Sequence, residues 1–407
     1  MFKIHDIRGK YGEDITTDKF KLLGTAAGLF GNEILIGVDY RPCNTELLGA
    51  FCSGFTGTKT VIGNAPTPAT AFLSRKLGLS ITASHNPAGY AGAKFFKKQT
   101  YVSEDEMAAL KKRFEATKQA ANAASAPTKQ PELLEEYLDS LPEFKGGLYD
   151  LSGGAACAIK KVFPATIFGD PDPNFERHSP EPKDDTLTVL KEKTRKGVIG
   201  FALDGDADRV IPCDAGIDIE GDVVAAFIAQ ESFNKNDRIV LSIDCRQEVF
   251  DFLRDGGFKV ITSKVGDPNV LQAAMANAAK FSAERSGHYS FLSHAPNSDG
   301  IYASALLSGT RPGELAEFKK QFKNVTLIEQ VFVKADFAKL KELMAERAPN
   351  ELVALDGVKA VFEDYALLIR ASTTEPKIRI NSEARTSELA TKGMVLAKQL
   401  ANACTVS

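Results

Sequence analysis

The sequence lacks the cysteine spacings that mark disulfide scaffolds and zinc sites. It holds six cysteines in 407 residues, and no two of them form a C-x-x-C pair. Widely separated cysteines are typical of buried, reduced thiols in an intracellular protein. We therefore expect neither a disulfide nor a zinc site at these residues, which are Cys43, Cys52, Cys157, Cys213, Cys245 and Cys404.

Long apolar runs and an excess of basic charge are also missing. No apolar segment approaches the roughly 20 residues that a membrane-spanning helix needs. The opening residues 1–6 already carry charge and lack the apolar core of a signal peptide. A net charge of -3 offers no basic footprint for nucleic acid. We expect a cytoplasmic protein with no membrane span and no nucleic-acid partner.

The length of the chain and a repeated pattern indicate several α/β domains. A chain of 407 residues exceeds one ordinary core, so two to four domains are expected. Segments 34–41 and 239–246 each contain a buried strand that ends in Asp-x-Arg and leads into a helix and a second strand. This repeat predicts two α/β domains of similar topology, with chance similarity of short α/β segments as the alternative. The chain after Lys323 predicts a small α+β domain.

The first candidate site is a serine loop directly after the apolar run 79–81. Ser84 and His85 precede the structure-breaking pair 86–87, and Lys94 follows. In open α/β sheets this end of a strand is where ligands bind. Ser84 is therefore a candidate nucleophile or phosphoryl carrier, and a hydrogen-bonded turn serine is the alternative.

The second candidate site is a loop with three aspartates at alternate positions. Asp204, Asp206 and Asp208 follow a buried strand, and like charges so close repel one another unless a positive charge holds them. Carboxylates at this spacing can converge on one hard cation, for which Mg²⁺ fits best. A calcium loop of the EF-hand type is excluded, because it needs glycine where Arg209 stands and glutamate where Ala215 stands.

Two further loops carry weaker signals. Glu284, Ser286 and His288 alternate along one loop and suit the adjacent hydroxyl groups of a sugar ring. Cations surround hydroxyl side chains in the other loop, which predicts a phosphate cradle or, alternatively, a solvated turn. The residues of this second loop are Arg370, Ser372, Thr373, Thr374, Lys377 and Arg379.

In this order and spacing the four loops resemble the α-D-phosphohexomutase superfamily. The similarity is to its phosphomannomutase/phosphoglucomutase branch and the related phosphoglucosamine mutases, and it covers nearly the whole chain. Further segments that carry the resemblance are Asp-Ile-Arg-Gly at 6–9, Pro-Thr-Pro at 66–68, the segments 171–175 and 180–182, Lys-Val-Gly-Asp at 264–267, and Asp-Gly-Ile at 299–301.

The resemblance implies an α/β fold of four domains around a central cleft. The first three have similar mixed-sheet α/β topology, and the C-terminal domain is a small α+β domain. The implied domains are 1–128 with the phosphoserine loop, 129–220 with the metal loop, 221–322 with the sugar-binding loop and 323–407 with the phosphate-binding loop. A monomer or homodimer is expected.

The resemblance also implies roles for individual residues. Ser84 carries a phosphoryl group, and Mg²⁺ is held by Asp204, Asp206, Asp208 and an oxygen on Ser84. Charge stabilisation and proton transfer are expected from Arg8, Arg209, Lys94, His85 and His288, with Lys94 as the first choice of general acid/base. Substrate binding is expected from Glu284, Ser286, Lys264, Arg370, Ser372, Thr373, Thr374 and Arg379.

The implied activity is that of an isomerase of carbohydrate metabolism. A mannose or glucose 1-phosphate and its 6-phosphate would interconvert through phosphorylated Ser84 and a hexose 1,6-bisphosphate. Phosphoglucosamine mutase is the first alternative. Asp267 stands where the mannose/glucose enzymes often have His and phosphoglucosamine mutases often have Asp, whereas Thr373 departs from both groups and Arg285 departs from the family's usual sugar loop, so the hexose is left open. A non-catalytic sugar-phosphate-binding protein and a metal-dependent phosphatase are further alternatives.

Overall fold

The computed structural model describes residues 1–331, 334–371 and 377–406. Short 3₁₀ helices span Pro131–Leu133, Ala155–Val162 and Asp184–Leu187. The strands are β1 (Ile7–Lys10), β2 (Glu33–Val38), β3 (Thr58–Asn64), β4 (Leu77–Ile81), β5 (Tyr90–Lys97), β6 (Thr100–Tyr101), β7 (Thr128–Lys129), β8 (Leu148–Asp150), β9 (Thr166–Ile167), β10 (Gly200–Leu203), β11 (Val210–Asp214), β12 (Ile217–Asp218), β13 (Arg238–Ser242), β14 (Lys259–Ser263), β15 (Phe281–Ala283), β16 (Tyr289–Phe291), β17 (Val325–Val331), β18 (Lys334–Ala335), β19 (Glu351–Val353), β20 (Val358–Val361), β21 (Tyr365–Ala371), β22 (Ile378–Ala384) and β23 (Thr405–Val406).

Helices alternate with these strands along most of the chain. Their ends carry ordinary capping signals: Ser103, for example, forms a reciprocal capping box with Glu106 at the start of the fourth helix. The helices are α1 (Thr17–Ala27), α2 (Asn44–Gly54), α3 (Thr67–Leu73), α4 (Glu104–Ala116), α5 (Leu134–Ser140), α6 (Thr188–Thr194), α7 (Gly221–Ser232), α8 (Gln247–Asp255), α9 (Asp267–Ala276), α10 (Gly300–Leu307), α11 (Glu314–Lys319), α12 (Phe337–Ala345) and α13 (Ser387–Ala403).

The chain forms two compact units, of which the first contains Met1–Gly221 and Ser286–Ala316. Its first sheet has the order β1-β5-β4-β2-β3-β7, with β6 beside β5. Strands β4, β2, β3 and β7 run parallel, whereas β5 is antiparallel to both β4 and β1. The parallel strands are rich in Ile, Leu and Val because helices cover them, and their side chains form a core with those of α1 and α2.

The second sheet of this unit repeats the arrangement with the order β12-β11-β10-β8-β9. Strands β9, β8 and β10 are parallel, and β11 turns back antiparallel to β10. The serine loop joins parallel β4 to antiparallel β5, and the aspartate loop joins parallel β10 to antiparallel β11. The two predicted loops therefore leave their sheets at equivalent positions.

The second unit contains Asp222–Arg285 and the chain from Glu317 onward. Strands β14, β13 and β15 lie side by side in parallel. A separate antiparallel sheet has the order β17-β22-β21-β20-β19 and packs against α12 and α13 through a core that includes Leu340, Ile369 and Leu400. This last part is the predicted α+β arrangement.

The mixed α/β class predicted from the sequence is confirmed. The four domain limits remain a prediction. The six cysteine side chains are buried and form no disulfide. Among the described residues, none of the helices combines the length and the apolar character that a membrane crossing demands.

Candidate active site

The serine loop holds Ser84 in a buried and unusual conformation. Only 3% of Ser84 is exposed, and its φ of 52° lies in the left-handed region. Its backbone N–H donates to Thr82 Oγ1 at 2.9 Å. Its hydroxyl donates to Asp204 Oδ2 at 3.1 Å and lies 3.2 Å from His85 Nδ1. The strained turn therefore aims the Ser84 hydroxyl at the aspartate loop.

The aspartate loop gathers its three carboxylates at one point. One oxygen from each of Asp204, Asp206 and Asp208 lies within 4.8 Å of the others, and all three residues are at most 1% exposed. A Cβ on Gly205 would stand 2.5 Å from the Ser84 carbonyl oxygen. Glycine is needed at 205 because the two loop backbones come this close.

Two buried cations offset part of this negative charge. Lys94, on β5, places Nζ 2.7 Å from Asp206 Oδ2 and 2.5 Å from Asp208 Oδ2. Arg209 donates from Nε to Asp204 Oδ2 at 3.1 Å and from its backbone N–H to Oδ1 at 3.2 Å. Three buried carboxylates thus face two buried cations.

The donor set of this cluster fits a magnesium ion. Oδ1 of Asp206 is buried and accepts no hydrogen bond from the described residues. A buried carboxylate oxygen without a donor is costly, and a divalent cation with oxygen ligands removes that cost. The three aspartates and Ser84 Oγ would hold the ion.

Burial and neighbouring charges set the protonation states here. Burial raises the pKa of Asp204 to about 7, although Arg209 counteracts it. Burial disfavours the charged form of Lys94, but the attraction of Asp206 and Asp208 outweighs burial and raises its pKa. Burial, together with Arg209 and Arg8, lowers the pKa of His85 to about 2. Lys94 is therefore charged in this arrangement, and His85 is neutral.

Arg8 and His288 border the cluster within the first unit. Arg8 donates to Asn86 Oδ1 at 3.2 Å and to Asp6 Oδ2 at 2.6 Å, so it supports the serine loop from β1. His288 Nε2 lies 3.4 Å from Asp208 Oδ1, and its Nδ1 lies 2.9 Å from Ser286 Oγ. Five predicted residues around Ser84 and the aspartates are thus brought together: Arg8, His85, Lys94, Arg209 and His288.

The predicted sugar and phosphate residues that the structure describes belong to the second unit, except Ser286. Glu284 directly follows β15, is buried, and accepts a hydrogen bond from the Gly266 N–H at 2.6 Å. Lys264, two residues before Gly266, is exposed. The next N–H along, that of Val265, donates to Asp356 at 3.2 Å. The same Oδ2 of Asp356 lies 3.7 Å from an Arg370 nitrogen. These contacts connect the two predicted substrate loops.

Arg370 and Arg379 face each other across two neighbouring strands. They are direct partners in the antiparallel register of β21 and β22, so their side chains leave the same face of the sheet. Like charges in this position repel, and an anion between them removes the repulsion. The pair therefore suits a phosphate group. Ser372, Thr373 and Thr374 lie outside the described residues.

Sequence reasoning missed two supports of the site. Thr67, at the start of α3, donates from Oγ1 to Asp206 Oδ2 at 2.7 Å and from its N–H to the Asp206 carbonyl at 2.9 Å. Arg41 donates to the Ser84 carbonyl at 2.8 Å. Thr67 lies in the Pro-Thr-Pro segment and Arg41 ends an Asp-x-Arg run. Both patterns were recognised in the sequence, but the contacts of these two residues with the site were not predicted.

Comparison with known proteins gives family matches to three parts of the chain and relatives that cover nearly all of it. The family description "Phosphoglucomutase/phosphomannomutase, alpha/beta/alpha domain I" matches residues 1–121, the corresponding domain III description matches 220–313, and the C-terminal domain description matches 322–396. A "Probable phosphoglucosamine mutase" of Pyrococcus horikoshii is 31% identical over 98% of this chain and 97% of its own length. A "Phosphoglucosamine mutase" of Thermotoga maritima is 28% identical over 95% of each chain.

A solved structure shares the fold over nearly the same extent. It is a phosphoglucomutase/phosphomannomutase family protein from Burkholderia thailandensis, with a TM-score of 0.88 and 22% identity, and the match covers 98% of this chain and 96% of the other.

Proposed function

Because this chain belongs to the α-D-phosphohexomutase superfamily, we propose that it interconverts a hexosamine 1-phosphate and 6-phosphate, with glucosamine as the sugar and Ser84 as the phosphoryl carrier. Members of the superfamily are mutases that use Mg²⁺ and a sugar bisphosphate intermediate. The observation that carries the proposal is the Ser84 hydroxyl, which donates to Asp204 Oδ2 at 3.1 Å, and Asp204 clusters with the buried carboxylates of Asp206 and Asp208.

The proposed order of preference for the sugar reverses the one drawn from the sequence. The sequence analysis preferred mannose and glucose as the sugar, but the two relatives cited above are named phosphoglucosamine mutases. In the second unit, burial and the nearby Glu284 carboxylate raise the pKa of Asp244, while the Ser242 hydroxyl, Arg370 and Arg285 act in the opposite direction.

In the proposed reaction a sugar hydroxyl attacks the phosphorus of phosphorylated Ser84. The new P–O bond forms to the sugar oxygen, the bond to Ser84 Oγ breaks, and the product is a hexose 1,6-bisphosphate. The proton lost by the sugar hydroxyl passes to a base, and the departing Ser84 oxygen takes up a proton, for which the charged Lys94, bound to Asp206 and Asp208 of the same cluster, is the proposed donor. The reverse transfer, from the other phosphate of the bisphosphate, restores phosphorylated Ser84.

The remaining residues of the first unit bind and orient. A phosphoserine carries nearly two negative charges, and the Arg8 and Lys94 side chains offset that charge. Mg²⁺ at the three aspartates would supply the further neutralisation that transfer needs. In the second unit, Arg370 and Arg379 would bind a phosphate group.

The test compares three sugar phosphates with and without the carrier. Wild-type protein and Ser84→Ala are incubated with Mg²⁺ and a trace of hexose 1,6-bisphosphate, and glucosamine, mannose and glucose 1-phosphates are offered separately. Formation of each 6-phosphate is followed by ³¹P NMR. We expect the wild type to convert glucosamine 1-phosphate fastest and the variant to convert none. Faster conversion of mannose or glucose 1-phosphate would reject the choice of sugar, and no conversion of any would reject the mutase activity.

A further inference from the structure

The Arg41 side chain is bonded almost entirely to the serine loop. Its Nε donates to Asp39 Oδ2 at 3.2 Å, and its two terminal nitrogens donate to four backbone carbonyls. A guanidinium has five N–H groups, so all five have an acceptor here. The four carbonyl oxygens lie at 2.5 to 3.2 Å and belong to Ser84, Asn86, Pro87 and Tyr90.

Hydrogen bonds to both its carbonyl and its N–H hold Ser84, the strained residue of the loop. A non-glycine residue reaches the left-handed φ of Ser84 only at an energetic cost, so other contacts must maintain it. Arg41 holds the Ser84 carbonyl, and Thr82 Oγ1 accepts the Ser84 N–H. Thr82 Oγ1 in turn donates to Asp39 Oδ2 at 2.7 Å, the same oxygen that Arg41 Nε contacts. Asp39 thus joins the two holders of Ser84.

The position of Arg41 follows from the topology of the first sheet. Arg41 comes just after β2, which pairs in parallel with β4, and the Asp39 N–H donates to the Ile81 carbonyl at the end of β4. The side chain is fully buried, and the Phe175 ring lies 5.0 Å from its guanidinium carbon. The other Asp-x-Arg run behaves differently, because Arg246 binds the buried Asp222 carboxylate.

We propose that Arg41 is a positioning residue for phosphoryl transfer at Ser84, acting by fixing the backbone of the serine loop so that the Ser84 oxygen stays aligned with the aspartate cluster. The inference rests on the proposed function. Lysine keeps the positive charge but has only three N–H groups on one nitrogen, so it cannot bind the same four carbonyls. An Arg41→Lys variant therefore separates the loss of loop geometry from the loss of charge.

The experiment measures the transfer step by itself. Wild type and Arg41→Lys, both with Mg²⁺, are mixed with excess glucose 1,6-bisphosphate, and the phosphorylated fraction of Ser84 is followed by rapid quenching and intact mass spectrometry. Binding of glucosamine 6-phosphate is measured in parallel by calorimetry. We expect the transfer rate to fall about 100-fold, the loss typical of misplacing a reacting group by about 1 Å. The dissociation constant of the sugar phosphate should stay within about twofold.

Two further variants keep the result interpretable. Lys59→Met removes another buried cation of the first unit, one that donates to the Phe55 carbonyl and to Ser125. It should lower the melting temperature but keep the wild-type transfer rate. Thr82→Val releases the other side of Ser84 with little change in volume, and it should also slow transfer. It serves in place of Arg41→Lys if that variant does not fold.

The outcomes distinguish this inference from the proposed function. If Arg41→Lys or Thr82→Val phosphorylates Ser84 at the wild-type rate, the positioning role is overturned. It is also overturned if Lys59→Met slows the transfer as much as these two variants do. If the wild type itself never acquires a phosphoryl group on Ser84, the proposed function fails and the Arg41 inference fails with it. The inference is supported if transfer is slow in Arg41→Lys and Thr82→Val and normal in Lys59→Met.

Discussion

Gly205→Ala tests the contact between the serine and aspartate loops without changing any charged or reacting group. The added Cβ would stand 2.5 Å from the Ser84 carbonyl oxygen and 2.9 Å from Pro180 Cβ. Reaching 3.0 Å from the carbonyl oxygen needs a shift of at least 0.5 Å, and reaching 3.4 Å needs 0.9 Å. The Ser84 carbonyl is backbone held by Arg41, so no side-chain rotation relieves the clash.

The expected result is a large loss of rate with a moderate loss of stability. Overpacking of this kind costs about 1 to 3 kcal/mol of unfolding free energy. A shift near 1 Å between reacting groups costs about 100-fold in rate. The measurements are the transfer rate to Ser84 from a hexose bisphosphate and the midpoint of urea unfolding.

Gly49→Ala is the matched control, because Gly49 lies exposed in α2 and a Cβ there meets nothing within 4 Å. It should keep the wild-type rate and gain up to about 1 kcal/mol of unfolding free energy from the better helix propensity of alanine. An active Gly205→Ala protein with normal stability would refute the close approach of the two loops.

Three other changes have directional outcomes. Asp206→Asn should weaken Mg²⁺ binding at least about 10-fold in calorimetry, since it removes one anionic oxygen ligand; unchanged affinity would place the ion elsewhere. Arg379→Ala should raise the unfolding free energy by about 0.2 to 1 kcal/mol in phosphate-free buffer by relieving repulsion from Arg370, and should abolish stabilisation by added phosphate; stabilisation equal to that of the wild type would contradict the anion site. Burial lowers the pKa of His178, but its contact with Asp150 outweighs burial and raises that pKa. The stabilisation of the folded state by protonated His178 is therefore full below the unfolded pKa of about 6.5 and is lost as the pH rises through the pKa of the folded state. The melting-temperature gap between wild type and His178→Gln should accordingly narrow from pH 6 to pH 9, and a widening gap would reverse the sign.

Those features of the candidate site that depend on residues close together in the chain could be predicted from the sequence. Asp204, Asp206 and Asp208 stand two residues apart after an apolar strand, so their convergence follows from local spacing. Ser84 was placed correctly at a strand end for the same reason. The confirmed α/β class likewise follows from strand and helix periodicity.

The remaining features depend on residues far apart in the chain. Lys94 was expected from the sequence to be a general acid/base, which stays a prediction; its pKa is raised because Asp206 and Asp208, more than 110 residues away, lie within 2.7 Å of its nitrogen. The contacts of Arg41 with the serine loop depend on the order of strands in the sheet, which places β2 beside β4. No spacing rule in the sequence specifies either contact.

The most direct test of the central claim follows one phosphoryl group from Ser84 to a sugar. The protein is phosphorylated with ³²P-labelled glucose 1,6-bisphosphate, separated from small molecules, and mixed with Mg²⁺ and unlabelled glucosamine 1-phosphate. The account predicts that label leaves Ser84 and appears in glucosamine bisphosphate and glucosamine 6-phosphate, and that Ser84→Ala acquires no label at the start. Label that stays on the protein, or that leaves only as inorganic phosphate, would contradict a mutase that works through Ser84.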